Sequence, residues 1–263
     1  MGKGHSLVDR YQTHKASSSN ATRSDVPHLR FIFGELVLLA ALAALALDLK
    51  GHPGPLPYDV NITLGEQHLL LPHQLLSSAL EDVSQINWPI PAGIVVGVVV
   101  VGLLLLRHWL EALTALAASV LSDLTSYEVN QFVRRPRPSG HGIVILKNIA
   151  NYFSFPSGHV VHAIAFFGLL LFFCIVAQRY ARWLLPVSIV LLLLILAMGP
   201  SRVLEGEHWP SDVVGGYLVG GFWLVIATHV YAWLARHRQQ PSSTYRFSSA
   251  SLAGATAGQP RRP

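Results

Sequence analysis

The sequence predicts an all-α, polytopic membrane protein with six transmembrane helices and a further amphipathic helix on the membrane surface. Three observations carry this. Of 263 residues, 51% are apolar and only 13% are charged, against about a quarter charged in an ordinary soluble domain. Mean hydropathy is positive. The apolar residues also gather into runs that supply about 18 to 23 helical residues each, enough at 1.5 Å per residue to cross a bilayer core of about 30 Å. This combination excludes a disordered chain, a nucleic-acid-binding arm and almost every soluble enzyme fold. The formal charge of +5 is consistent with an anionic partner, but its distribution along the chain says more than its sum. The single cysteine, Cys174, lies inside an apolar run, so no intramolecular disulfide forms.

Residues 1–30 are polar and basic and read as a disordered cytoplasmic tail, too long and mixed for the start of a signal peptide. Residues 31–235 read as one membrane domain, and residues 236–263, rich in Ser, Gly and Pro, as a second disordered cytoplasmic tail. The six runs are Phe31–Leu47, Pro89–Leu106, Trp109–Tyr127, Val160–Ala177, Trp183–Pro200 and Val213–Ala235. With both termini in the cytoplasm, the tails, Arg107–His108 and Arg179–Arg182 hold 13 of the 19 Lys and Arg residues, as the positive-inside rule requires. The first external loop, residues 50–88, carries Leu69, Leu70, Leu71, Leu75, Leu76 and Leu80 at helical spacing before Glu81 and Asp82, which predicts an amphipathic surface helix. The sequon Asn61-Ile62-Thr63 reads as a chance occurrence. Gly93/Gly97 and Gly216/Gly220, each four residues apart, would permit close helix crossings.

Helix parity puts two loops on the same, outer face: about 128–157 and about 200–209. The first holds Arg134-Arg135-Pro136-Arg137-Pro138 and ends in Pro156-Ser157-Gly158-His159; the second holds Ser201-Arg202 and leads to His208 and Asp212. A helix opening at Pro156-Ser157-Gly158 presents unpaired backbone N–H groups and the positive end of its dipole to an anion. Arginine forks suit phosphate oxygens. His208 and Asp212 are one helical turn apart, so the carboxylate can accept one imidazole N–H and leave the other nitrogen nucleophilic. His159 is then available as general acid or base. Phosphoryl transfer through a covalent histidine is the chemistry such a set performs.

These residues resemble the type 2 phosphatidic acid phosphatase and vanadium haloperoxidase superfamily, in its membrane lipid-phosphate phosphatase branch. Pro156-Ser157-Gly158-His159 matches the second motif of that family without change. Ser201, Arg202, His208 and Asp212 match every specified position of the third, Ser-Arg-x5-His-x3-Asp. The first, Lys-x6-Arg-Pro, matches only at Arg137-Pro138, because Asn130 stands at the lysine position. The resemblance implies that His208 forms a phosphohistidine, that Asp212 orients it, and that His159 protonates the leaving oxygen. Arg137, Ser157, Gly158, Arg202 and Asn130 would hold the phosphoryl oxygens, with no metal and no cofactor.

The implied activity is hydrolysis of a membrane lipid phosphate or diphosphate on the outer face of a bacterial cell membrane. Undecaprenyl diphosphate is the first candidate, beside phosphatidic acid and phosphatidylglycerophosphate. Transfer of the phosphoryl group to another acceptor is the neighbouring alternative. A weakened lipid-phosphate-binding relative is the second, motivated by Asn130, and Arg134 and Lys147 are the nearest cations able to replace the missing lysine. The remaining polar residues read more plainly. Arg134 and Arg135 suit solvent or headgroup contacts, Lys147 the surface, His162 a packed interior, and Asp123 and Glu128 a membrane boundary. Glu205 and Glu207 suit either tuning of His208 or a solvated loop.

Overall fold

The computed structural model describes residues 31–147, 153–177 and 181–238, whose regular elements are helices, with no strand among them. The expected N-terminal tail, residues 1–30, lies outside the described residues; of the expected C-terminal tail, residues 236–238 are helical and close the last helix, and the rest lies outside the described residues. Helix α1 spans Phe31–Gly51, followed by α2, Pro57–Leu70, α3, Gln74–Ile86, α4, Pro89–Leu105, and α5, Trp109–Val133. Helix α6, Gly158–Ala177, contains a π-helical turn at Ala163–Phe167. A 3₁₀ turn at Arg182–Leu184 leads into α7, Leu185–Leu204, and α8 runs over Pro210–Arg238.

Each of the six apolar runs is therefore a helix. Four are long and apolar enough to cross a membrane: α1, α6, α7 with its leading turn, and α8. Helices α3 and α4, bent by 64° at Asn87-Trp88, add a fifth if taken as one broken span. Helix α4 alone has 17 residues, about 25 Å. Helix α5 has 25 residues, but Glu111, Asp123 and Glu128 dilute its apolar character.

The expected single amphipathic helix is instead two. The leucine run is broken at Leu71-Pro72-His73, because proline lacks the N–H that a continuing helix would need. Helix α3 turns Ser77 and Ser84 inward and leaves Leu75 and Leu76 exposed, so its polar stripe faces protein. Two helices also run past their expected ends. Helix α5 continues to Val133, closing in a left-handed Arg134, and α7 continues through Pro200 to Leu204.

The core lies where α5, α6, α7 and α8 meet, around Ala115, Ala118, Phe166, Leu169, Met198 and Val213. Two glycines set one close crossing in it. A Cβ on Gly216 would stand 2.8 Å from Val160 Cβ, and one on Gly220 would stand 2.7 Å from Ile164 Cβ. Gly216/Gly220 thus lets α8 lie against α6, whereas nothing approaches Gly93 or Gly97 within 4 Å. That crossing holds the start of α6 beside the start of α8, where the motif residues sit.

Gly206, between α7 and α8, has φ +70°, and a Cβ there would stand 2.4 Å from the Val144 carbonyl oxygen. Gly206→Ala should lower stability by about 1–2 kcal/mol from the left-handed backbone alone, and by more once the fixed carbonyl must move. A lowered midpoint of thermal unfolding in detergent checks this.

Candidate active site

The loop after α7 aims His208. Glu205 N–H donates to Ser201 O at 3.1 Å, and the left-handed Gly206 reverses the chain. The N–H groups of Glu207 and His208 then return to Arg202 O at 3.3 Å each. Pro210 opens α8, where its missing N–H is of no consequence, and Trp209 N–H donates to Asp212 Oδ2 at 2.8 Å.

The His208 ring is buried, with Nδ1 2.7 Å from the Ser154 carbonyl. A carbonyl only accepts, so Nδ1 carries the proton and Nε2 keeps its lone pair. Nε2 lies 3.4 Å from Arg137 Nη1. Burial, then the cations Arg137 and Arg202, hold the imidazole pKa well below its ordinary value, against the opposing pull of the Ser154 carbonyl.

Asp212 does not take the proton of His208 directly. Its Oδ2 is 3.8 Å from Nδ1, beyond a hydrogen bond, and the Ser154 carbonyl stands in that role. The carboxylate is engaged elsewhere, with Oδ1 2.6 Å from Arg135 Nη1. Arg135, read above as a solvent or headgroup contact, is wholly buried. It binds Asp59 Oδ2 at 2.7 Å, Ser211 Oγ at 2.7 Å and the Gly54 carbonyl at 3.1 Å. Asp59 completes the knot by accepting from Ser211 N–H at 3.0 Å and Ser211 Oγ–H at 2.8 Å.

A second ion cluster surrounds Arg202. Glu205 and Glu207 are not solvated: both are buried, and both bind the Arg202 guanidinium, which Ser84 of α3 also meets. Lys147 Nζ reaches Glu205 Oε1 at 2.7 Å, and Arg137 Nη1 donates to the Glu207 carbonyl at 2.8 Å. Gln67 of α2 fastens this floor, donating to the Val144 and Leu204 carbonyls at 2.7 and 2.9 Å. Arg135, Arg137, Lys147 and Arg202 are thus matched by Asp59, Asp212, Glu205 and Glu207.

The remaining motif residues converge on one cavity of about 1060 Å³, lined among others by Asn130, Arg137, Gly158, His159, Arg202 and His208. Ser157 is buried behind it; its N–H donates to the Asp212 carbonyl at 3.1 Å, and its Oγ has no partner among the described residues. His159 Nε2 is likewise without a partner there, and its carbonyl accepts from Asn87 Nδ2 at 2.9 Å.

Asn130 directs its amide hydrogens at the carbonyls of Phe153 (2.8 Å) and Phe155 (3.1 Å). This ties α5 to the segment preceding α6, with both donors turned to the backbone. Neither expected substitute for the lysine enters the cavity lining: Arg134 is exposed, with Nε on the Gln131 carbonyl at 3.0 Å, and Lys147 is held by Glu205. His162 is not simply packed, since its Nδ1 meets Asp123 Oδ2 at 3.1 Å on the cavity wall. Among the described residues no three His, Cys, Asp or Glu side chains converge as a metal set.

Comparison with known proteins agrees with the motifs. The model of the PAP2 superfamily matches residues 109–236. Over that segment the chain belongs to the PAP2 superfamily. It is 36% identical to the lipid A 1-phosphatase of Rhizobium etli, over 32% of each chain. Identity is 34% to the lipid A 4'-phosphatase of Bacteroides thetaiotaomicron, over 44% of this chain and 55% of that one. It is 30% to the decaprenylphosphoryl-5-phosphoribose phosphatase of Mycobacterium tuberculosis, over 43% and 56%. The chain therefore spans about half the length, or less, of these relatives. The fold is that of a transmembrane PAP2-type phosphatidylglycerolphosphate phosphatase from Bacillus subtilis. The TM-score is 0.62 over 74% of this chain and 94% of that one, at 19% identity.

The motif spacing did not reach Asp59, Gln67, Ser84 or Asn87. They lie on α2, α3 and the α3–α4 corner, and their one sequence signal is polarity inside an otherwise leucine-rich stretch.

Arg135→Leu would leave Asp59 and Asp212 as buried carboxylates without their cation, so about 3–5 kcal/mol of stability should be lost, read as a fall in the thermal midpoint. For His208, the depressed pKa predicts a ring that stays neutral below pH 6.5. Arg137→Gln removes one of the cations responsible, so the titration should move upward, as followed by NMR of ring-labelled protein.

Proposed function

We propose that the protein is an integral membrane phosphatase that removes a phosphoryl group from a lipid phosphate or diphosphate through a phosphohistidine, without a metal. The observation that carries this is the state of His208: Nδ1 is committed to the Ser154 carbonyl, and Nε2 faces a cavity shared with Arg137, His159 and the first turn of α6.

In this reading Nε2 attacks phosphorus while the bond to the lipid oxygen breaks. Arg137 and the first amides of α6, with Ser157 and Gly158, neutralise the charge that builds on the phosphoryl oxygens. His159 Nε2 delivers a proton to the departing oxygen, then takes one from the water that hydrolyses the phosphorus–nitrogen bond. Arg202 borders the cavity and supports Glu207, which with its carbonyl positions Arg137. Asp212 acts at one remove, by shaping the Trp209 turn and by its charge near Nδ1.

The names of the relatives, lipid A phosphatases and a decaprenylphosphoryl-phosphoribose phosphatase, support lipid-linked phosphates as the substrate class. In this reading six helices span the membrane, with α5 as the sixth, both termini lie in the cytoplasm and this cavity opens to the outer face; the distribution of Lys and Arg supports that orientation.

Purified protein should release phosphate from a short-chain lipid phosphate in excess chelator, and vanadate should inhibit it. His208→Ala should reduce the rate by several decades, since no other described side chain offers a nucleophilic nitrogen at the same place. A strict divalent-metal requirement, or full activity in His208→Ala, overturns the reading. For topology, Ser139→Cys, in an exposed loop, should react with an impermeant thiol reagent in intact cells once Cys174 is replaced. Reaction only after permeabilisation reverses the orientation.

A further inference from the structure

The cavity holds one polar pair that the phosphoryl chemistry does not use. Asp123 projects from α5, and His162 lies one turn beyond His159 on α6; both line the same wall. His162 Nδ1 stands 3.1 and 3.3 Å from the two Asp123 carboxylate oxygens. The ring is further held by Phe166, 5.3 Å away between centroids, and Phe167, 6.0 Å.

A carboxylate accepts, so in the neutral ring Nδ1 carries the proton and Nε2 presents a lone pair. That nitrogen is buried and has no partner among the described residues, on a side chain only 7% exposed. A buried acceptor without a donor is costly, and a charged residue within an apolar helix calls for a functional reason. The π-helical turn begins at the next residue, Ala163, and such turns are frequent at functional sites.

We propose that Asp123 and His162 form a headgroup subsite that accepts hydrogen bonds from a sugar or glycerol hydroxyl next to the phosphate being removed. This rests on the lipid-phosphatase reading. The chemistry selects the ligand. His162 Nε2 and the half-exposed Asp123 carboxylate are both acceptors, so they repel phosphoryl oxygens and welcome O–H donors. Two ligands with no third do not make a metal site. Arg137, with the first turn of α6, takes the phosphoryl group at one end of the cavity, and the pair takes the neutral polar part attached to it. A lipid whose phosphate sits directly on diacylglycerol has no hydroxyl to offer there.

The test compares phosphate release from phosphatidylglycerophosphate, which carries a glycerol hydroxyl beside the scissile bond, with that from phosphatidic acid of the same acyl chains. Wild-type protein should favour the first. Asp123→Asn, which keeps the shape, and His162→Phe should each cut the ratio of the two kcat/KM values by about tenfold, the scale of one lost hydrogen bond to a charged acceptor, chiefly through KM for phosphatidylglycerophosphate. If His162→Phe does not fold, Asp123→Asn and Asp123→Ala carry the comparison. An unchanged ratio, with both substrates slowed equally or not at all, overturns the subsite and leaves the phosphatase standing. Failure of wild-type protein to release phosphate from any lipid phosphate or diphosphate, these two included, overturns the phosphatase reading, and the subsite with it.

Discussion

Arg135 has no exposed surface, and everything around the motif residues is arranged so that it is never alone. Its guanidinium joins Asp59 of α2 to Asp212 and Ser211 of α8, and its carbonyl accepts from Ser154 N–H at 2.8 Å. One residue thus ties the helix preceding the membrane core, the helix that follows His208, and the strip of chain whose carbonyl fixes the His208 ring. Isolated buried charge is so unfavourable that the three elements hold one relative placement. The orientation of His208 depends on that placement, since Ser154 is both the neighbour of Arg135 and the acceptor for Nδ1.

Charge balance has a consequence for the chemistry. Four cations around the cavity floor face four carboxylates, so the site is not a bare basic pocket. On the proposed reading, affinity for a phosphoryl group then rests on directed donors, chiefly Arg137 and the first turn of α6, more than on bulk potential. It also gives Asn130 a coherent place. With its donors on the Phe153 and Phe155 carbonyls, it holds the segment that carries Ser154, and so supports the ring indirectly where the family motif has a lysine.

Much of this was legible in the sequence because it is local. Pro156-Ser157-Gly158-His159 carries a local helix start, with Ser157 at the N-cap, and the spacing of Ser201, Arg202, His208 and Asp212 brings them to one helix–loop–helix corner. The six apolar runs are all helices for the same reason. What could not be read was register between distant elements. Position places Asp212 one turn from His208, but the ring's acceptor is a backbone carbonyl from another loop. The arginine cluster gave no means to tell the buried Arg135 from the exposed Arg134, since only packing against α2 distinguishes them. For Glu205 and Glu207 the sequence left tuning of His208 and a solvated loop equally open, and only the fold sets them around Arg202. His162 and Asp123 lie 39 positions apart, and only the α5–α6 crossing makes them a pair. Pro72 was a visible breaker that the leucine spacing outweighed.

The central claim is that His208 Nε2, and not Nδ1, receives the phosphoryl group, because Nδ1 is committed to the Ser154 carbonyl. Enzyme quenched in alkali during turnover of a phosphorus-labelled lipid, digested and analysed by ³¹P NMR and mass spectrometry, tests it most directly. The account predicts an acid-labile phosphoryl group on the peptide containing His208, as the Nε2 isomer. The Nδ1 isomer, or label on any other residue, would contradict it.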